Sequence, residues 1–200
     1  MNRRARAHWA IVASAIGVGV ALLVAYPARA DDAADLDAGK VLVTTVDVPG
    51  SPEPAHVVRA VVESPPSSVW RVVSDCGHYK DHLPHIADSR ELSRVGSTVT
   101  CQVTISIPFP MANLTGVTEA VHEERPDRMT RTWKLVRGDF DFNEGSWTIE
   151  SYRGGAASLV TYRVHVKPKT IVPGFIRSMA QDKALPELMQ RIRIEAAKVK

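Results

Sequence analysis

The feature that most constrains the fold of this sequence is the regular alternation of apolar and polar residues between Ser89 and Lys167. A period of two is typical of β-strands with one covered face, and turn signals divide the stretch into five or six segments. Successive segments of this kind predict an antiparallel meander with one apolar face. The residues predicted on that inner face are Val99, Cys101, Val103, Ile105, Met129, Arg131, Trp133, Leu135, Trp147, Ile149, Val160, Tyr162, Val164 and Val166.

Two β-branched segments and a short helix are predicted before the meander. The segments KVLVTTVDV and HVVRAVVES flank the turn PGSPEP, so they predict a hairpin or one long interrupted strand. The segment SPPSSVWRVVSD predicts a short helix that Ser64 caps, with Pro65 and Pro66 in its first turn.

The C-terminal segment predicts one long helix that covers the apolar face of the sheet. Pro186 lies in its interior, where the missing N–H and the ring should kink the helix or divide it in two. The apolar stripe at helical spacing consists of Phe175, Ile176, Met179, Leu185, Leu188, Met189 and Ile192.

Residues 1–30 have the composition of an export signal. Arg3, Arg4 and Arg6 precede a long apolar run, and the small residues around Ala30 suit a signal peptidase, so we expect cleavage before Asp31. An uncleaved single-span anchor is the alternative. Either outcome places the body outside the cytoplasm, in the periplasm or secreted. Residues 31–39 predict a mobile acidic lead, and residues 40–200 predict one domain.

The charge and cysteine content narrow the possible partners. The first 30 residues hold four of the 25 Lys and Arg but none of the 22 Asp and Glu, so the remainder has a formal charge of −1. A nucleic-acid partner is therefore not expected. Cys76 and Cys101 make an even count that favours a disulfide in an oxidising compartment, although Cys101 fits equally well as a small buried apolar residue.

The stretch DCGHYKDHLPHI raises the possibility of a metal site. His78 and His82 are four residues apart and could share a helix face, but the glutamate of the common zinc-protease motif is missing between them. His85 follows Pro84 and should point elsewhere. We therefore interpret these histidines as solvated or hydrogen-bonded side chains at a cavity rim, with no metal and no cofactor expected.

Three pieces in this order carry a resemblance to a known family. They are SPPSSVWRVVSDCGHYKDHLPHIADSRE, the strand GSWTIES, and the last helix with VPGFIR and ALPELMQRIR. Together they resemble the START-like helix-grip (SRPBCC) superfamily, specifically its polyketide-cyclase and coenzyme-Q-binding branch, over nearly all of residues 40–200. The resemblance implies an α+β fold: a curved antiparallel sheet of about seven strands around a long C-terminal helix, with two short helices after the first strand.

What the resemblance implies for function is a container for apolar molecules. We expect a hydrophobic ligand, namely a sterol, quinone, fatty acyl chain or phospholipid, held between sheet and helix for transport or sequestration. A transient membrane contact and a monomer are also expected. The ligand-binding candidates are Tyr79, Leu83, Val103, Ile105, Arg131, Trp133, Leu135, Trp147, Ile149, Tyr162, Phe175 and Met179.

A polyketide cyclase or aromatase-like enzyme using the same cavity is the alternative function. Arg131, His122, His165, Tyr162 and Asp75 are the candidate polar groups, but the sequence contains no nucleophile elbow, triad or phosphate-binding loop. We interpret Arg131 as a polar anchor for a ligand headgroup if it faces inward, because a charge in an apolar pocket needs a partner. If the strand phase shifts by one residue, Arg131 lies on the surface. An interaction module with a solid core is the third possibility.

Overall fold

The computed structural model describes residues 30–199. The predicted export signal therefore lies outside the described residues, except for Ala30. Within the described part of the chain, no helix combines the length and the apolar character needed to cross a membrane.

Residues 30–199 contain eight strands that form one antiparallel sheet, and helices cover it. The strands follow the sheet order β1-β2-β8-β7-β6-β5-β4-β3, so β3 to β8 are the predicted meander and β1 with β2 the predicted hairpin. The α+β helix-grip fold is confirmed, with eight strands where about seven were expected. The strand bounds are β1 Leu42–Val46, β2 Ala55–Val62, β3 Ile86–Val95, β4 Thr98–Ile105, β5 Leu114–Glu124, β6 Arg128–Gly138, β7 Phe140–Tyr152 and β8 Ala157–Pro168.

In the described part of the chain, five α-helices accompany the sheet. Two short ones, α2 and α3, lie between β2 and β3 as expected, and a 3-10 turn over Cys76–His78 joins them. A π-turn over Ala180–Ala184 separates α4 from α5. The helix bounds are α1 Ala30–Asp37, α2 Pro66–Ser74, α3 Tyr79–His82, α4 Gly174–Met179 and α5 Leu185–Lys198.

The N-cap of helix α2 lies one residue later than predicted. Pro65 is the N-cap, with extended dihedral angles, because the ring of Pro66 excludes the helical conformation from the residue before it. Ser64 is buried and does not cap the helix with its side chain; its carbonyl oxygen accepts a hydrogen bond from Ser158 Oγ at 2.7 Å. This bond fixes the start of α2 to strand β8.

The C-terminal helix is divided at the place where Pro186 predicted a break. Pro186 occupies the first turn of α5, and the π-turn lies directly before it, where the ring would otherwise meet the carbonyl group four residues earlier. Met189 and Ile192 of α5 are fully buried against the sheet and α2. The predicted division of the helix is therefore present.

Two residues of the predicted helical stripe do not face the sheet. Phe175 is 68% exposed and Met179 is 36% exposed, whereas Ile176 between them is buried. The spacing of 3.6 residues does not continue through a π-turn, so the face of α4 that points inward differs from the one predicted from the α5 stripe. Their placement among the inward-facing residues was wrong.

The acidic segment predicted as a mobile lead forms α1 up to Asp37 in the structure. Leu36 is buried with Val61 and Ala157, and Asp37 accepts hydrogen bonds from Tyr152 Oη at 2.8 Å and Arg153 Nη2 at 2.9 Å. Leu36 is the large apolar side chain of this acidic segment, and its packing against Val61 and Ala157 attaches the helix to the sheet.

Candidate ligand-binding site

One row of side chains crosses the concave face of the sheet, with one residue from each of six neighbouring strands. Direct cross-strand partners in an antiparallel sheet point to the same face. The row consists of Val43, Val58, Tyr162, Trp147, Arg131 and His122. Arg131 therefore faces inward, in phase with Trp133, and only 3% of it is exposed.

The guanidinium of Arg131 has unusual partners. Its Nη2 donates a hydrogen bond to the sulfur of Cys101 at 3.2 Å, and its central carbon lies 5.8 Å from the ring centroids of both Tyr79 and Trp133. The Nε atom is buried and has no hydrogen-bond partner. Cation–π contacts contribute roughly 0.5–2 kcal/mol each, which does not replace the several kcal/mol of hydration that a buried cation loses.

No carboxylate among the described residues forms an ion pair with Arg131. The carboxylates whose charges act on Tyr79 and His122 are those of Asp75 and Glu91, and both have other partners. Asp75 is bonded to His78 at 2.8 Å, and Glu91 is bonded to Arg94 at 2.6 Å. Arg131 is thus a buried cation whose charge the described part of the protein does not balance.

His122 ends the row next to Arg131. Its ring meets the edge of Trp70 at 5.2 Å between centroids, and its Nε2 is buried without a hydrogen-bond partner. Burial, together with the positive charges of Arg131 and Arg94, lowers the pKa of His122 to about 4. His122 is therefore neutral near pH 7 and adds no second positive charge to the site.

A disulfide connects the 3-10 turn after α2 to strand β4. It joins Cys76 and Cys101, both fully buried, whose Cα atoms are 6.2 Å apart. The sequence left open whether Cys101 forms a disulfide or is a small buried apolar residue, and the structure contains the disulfide. The bond also holds the Cys101 sulfur in place as the acceptor for Arg131.

Three aromatic rings form the floor of the site. Tyr162 lies between Trp147, at 4.3 Å, and Trp133, at 5.9 Å between ring centroids. A Cβ atom at Gly145 would lie 2.5 Å from the Trp133 ring and 2.2 Å from the carbonyl oxygen of Arg163. The glycine of the GSW segment therefore allows the indole of Trp133 to lie across strand β7.

Two hydrogen bonds that the sequence did not suggest fix aromatic rings of the site, one at Trp133 and one at Tyr79. Trp133 Nε1 donates to Asn143 Oδ1 at 3.0 Å, and the buried hydroxyl of Tyr79 donates to the carbonyl oxygen of Val73. Burial raises the pKa values of both Tyr79 and Tyr162, so their hydroxyl groups stay protonated. Asn143 could have been predicted as inward-facing from its two-residue offset to Gly145.

The concave face is closed at one end and open at the other. Near α2, Ile149 and Val160 are fully buried. At the opposite end of the same strands, toward the loops that follow β4 and β8, several inward-facing positions are only half-buried. These half-buried residues are Val103, Ile105, Leu135, Tyr162 and Val164. This end of the concave face is therefore less completely covered than the end near α2, and we call its partly exposed apolar surface the crevice.

The other predicted ligand-binding residues divide into two groups. Tyr79 and Leu83 of the α3 region are buried and belong to the same core as Trp133, Trp147 and Ile149. Phe175 and Met179 lie on the exposed side of α4 and are not brought together with them.

Two loops at the open end line a groove of about 580 Å³. One loop follows β4 and includes Pro110 and Met111, and the other follows β8 and includes Ile171 and Pro173. Phe109 is 94% exposed and Ile171 is 92% exposed. We call these two loops, with the exposed face of α4, the mouth.

The histidines of the DCGHYKDHLPHI stretch lie apart from the crevice floor. His78 stacks on His82 at 6.1 Å between ring centroids, and His85 Nε2 lies 3.0 Å from Glu187 Oε2. Within residues 30–199, no three His, Cys, Asp or Glu side chains form a group that could hold a metal ion. His165, a candidate polar group, lies on the opposite face of the sheet and contacts Ser51 Oγ at 2.9 Å.

The family follows from a sequence comparison. The sequence model described as "Polyketide cyclase / dehydrase and lipid transport" matches residues 62–193, which is more than half of the chain. The chain belongs to this family. The matched region runs from the end of β2 through most of α5 and includes every residue of the crevice floor, so the expected membership in the START-like superfamily is confirmed. No curated protein matches the chain by sequence.

Solved structures share the fold of this family member. The STAR-related lipid transfer protein from Xanthomonas axonopodis has a TM-score of 0.68 and 20% identity, covering 79% of this chain and 94% of its own. Human StAR-related lipid transfer protein 5 has a TM-score of 0.70 and 10% identity, covering 80% and 83%. The Zhui aromatase/cyclase from Streptomyces has a TM-score of 0.58 and 12% identity, covering 72% and 93%. At these identities the likeness establishes the fold alone.

Proposed function

We propose that this family member is an exported carrier that holds a hydrophobic ligand in the crevice between the sheet and the C-terminal helices. The observation that carries the proposal is the set of apolar, inward-facing residues that remain half-buried toward the mouth. Each methylene group that such a surface removes from water contributes about 0.8 kcal/mol. The lipid transfer proteins among the solved structures support this reading.

The mouth is the place where the ligand would enter. Exposed Phe109, Ile171 and Phe175 surround it, and exposed apolar side chains of this kind suit transient contact with a membrane. The π-turn before Pro186 lies at the junction of α4 and α5, where a small rotation of α4 would widen the opening. The predicted export signal supports the proposal that the protein acts in the periplasm or outside the cell.

Native mass spectrometry of residues 31–200, purified without detergent, tests the carrier directly. We expect a stoichiometric hydrophobic ligand that solvent extraction recovers. The variant Leu135→Trp should fill the crevice and reduce the bound fraction at least fivefold. The variant Thr132→Trp, on the exposed face of the same strand, is the control and should keep the ligand. An empty wild-type protein that also rejects sterols, quinones, fatty acids and phospholipids would refute the proposal.

A cyclase-like enzyme is the second candidate, and one observation favours it. Neutral His122 with an unpaired Nε2 lies next to Arg131, so the site holds a proton acceptor beside a cation. The aromatase/cyclase among the solved structures is consistent with this arrangement. If the extracted ligand is a polyketide that the purified protein converts, and His122→Gln stops conversion without reducing binding, the enzyme replaces the carrier.

A further inference from the structure

We infer that the ligand is an amphiphile with an anionic headgroup, which Arg131 binds at the floor of the crevice. This inference rests on the proposed function and names the chemical class of its ligand. It excludes sterols and quinones as the main ligand, because they carry no formal charge.

The positive charge of Arg131 is not balanced by any carboxylate among the described residues. Arg131 is buried, and its guanidinium contacts a sulfur atom and two aromatic faces, none of which carries a negative charge. Protein interiors keep a buried cation when a counter-charge pairs with it. Since Asp75 and Glu91 pair with His78 and Arg94, the described residues supply no counter-charge.

The Nε–H group of Arg131 is a buried donor without an acceptor among the described residues. The hydrogen bond to Cys101 uses Nη2, whereas Nε has no partner. Nε and Nη2 lie on one edge of the guanidinium. Nη2 carries a second N–H besides the one donated to Cys101, so this edge can pair with the two oxygen atoms of a carboxylate or phosphate group. An anionic headgroup would satisfy the buried Nε and balance the charge in one contact.

The groups around the Arg131 guanidinium are uncharged. His122 is neutral near pH 7, so Arg131 is the positive group of the row, and the hydroxyl groups of Tyr79 and Tyr162 stay protonated. The floor therefore holds a cation next to neutral groups, with an apolar crevice leading away from it. That combination fits a charged head joined to a long hydrocarbon tail.

Three probes with the same tail test the inference. Delipidated protein is titrated with hexadecanoate, hexadecyl phosphate and hexadecanol below their micelle concentrations, and the fluorescence of the site tryptophans reports binding. We expect at least one of the two anions to bind ten times more tightly than hexadecanol, and the better one identifies the headgroup as carboxylate or phosphate. Acetate and inorganic phosphate, which lack the tail, should bind at least a hundredfold more weakly than the amphiphiles.

The variant Arg131→Met keeps the length of the side chain and removes the charge. We expect it to lose the preference for the anion, to bind hexadecanol within twofold of wild type, and to unfold at a higher temperature without ligand. Arg131→Gln is the second uncharged variant if Arg131→Met does not fold, and Arg131→Lys should recover part of the preference. Equal affinity for hexadecanol and both anions in wild type, or an unchanged preference in the uncharged variants, would overturn the inference while leaving the carrier intact. Failure of all three probes to bind would overturn the inference, whereas the carrier would be overturned only if the protein also rejected sterols, quinones and phospholipids.

Discussion

Reduction of the Cys76–Cys101 disulfide should remove a large part of the stability of this domain. The bond joins residues 25 positions apart in the sequence. In the chain-entropy description, a loop of this length restricts the unfolded chain by about 3.5 kcal/mol at 25 °C. Because small domains are stable by about 5–15 kcal/mol in total, the reduced protein should unfold at a much lower denaturant concentration.

Urea unfolding followed by circular dichroism, with and without a phosphine reductant, measures the effect. We expect the free energy of unfolding to fall by about 3–4 kcal/mol on reduction and the slope with urea to increase, because the reduced unfolded chain is more expanded. The control is Cys76→Ala/Cys101→Ala, which should not respond to the reductant. A decrease below about 1 kcal/mol in wild type would show that the bond does not restrict the unfolded chain as reasoned.

Three further predictions concern single side chains. The pKa of His122 is about 6.5 in the unfolded chain but about 4 in the folded protein. The free energy of unfolding should therefore fall by roughly 3 kcal/mol as the pH drops from above 6.5 to below 4. Urea unfolding at pH 7 and pH 4.5 should show a smaller loss of stability for His122→Gln than for wild type. Gly145→Ala places a Cβ atom 2.2 Å from the Arg163 carbonyl oxygen and should destabilise the fold by about 2–3 kcal/mol. The control is Gly116→Ala, whose Cβ atom would lie 3.3 Å from the Phe140 ring and which should cost less than half as much stability in the same urea assay. Arg131→Met should stabilise the ligand-free protein by about 1–2 kcal/mol, because it removes a buried and unpaired charge, and a loss of stability would refute the description of this site.

The sheet could be predicted from the sequence because one covered face imposes a period of two. That period placed Arg131, Trp133, Trp147 and Ile149 on the inner face, and all four are buried there. The contact between Arg131 and Cys101 could not be predicted in the same way. Strand β5 lies between their strands, so the distance depends on two registers and on the curvature of the sheet.

In the C-terminal segment, the spacing of apolar residues predicts the buried side of α5 but not that of α4. The spacing of Leu188, Met189 and Ile192 describes α5 correctly, but extending it to Phe175 and Met179 assumes an uninterrupted helix. A proline indicates that a break exists without specifying how many residues the broken turn contains. The π-turn settles the orientation of α4, and therefore which side chains border the mouth.

The pairing of β2 with β8 has a consequence for how the chain folds. Strands β3 to β8 each pair with a sequence neighbour, whereas residues 56–62 must find residues 158–164 across the whole meander. Local pairs close short loops and form early, while distant pairs wait for a larger loss of chain entropy. We expect the meander to form first and the β1–β2 hairpin with α5 to dock last. The hydrocarbon tail of the proposed ligand would then be enclosed during the final folding step instead of entering a finished protein.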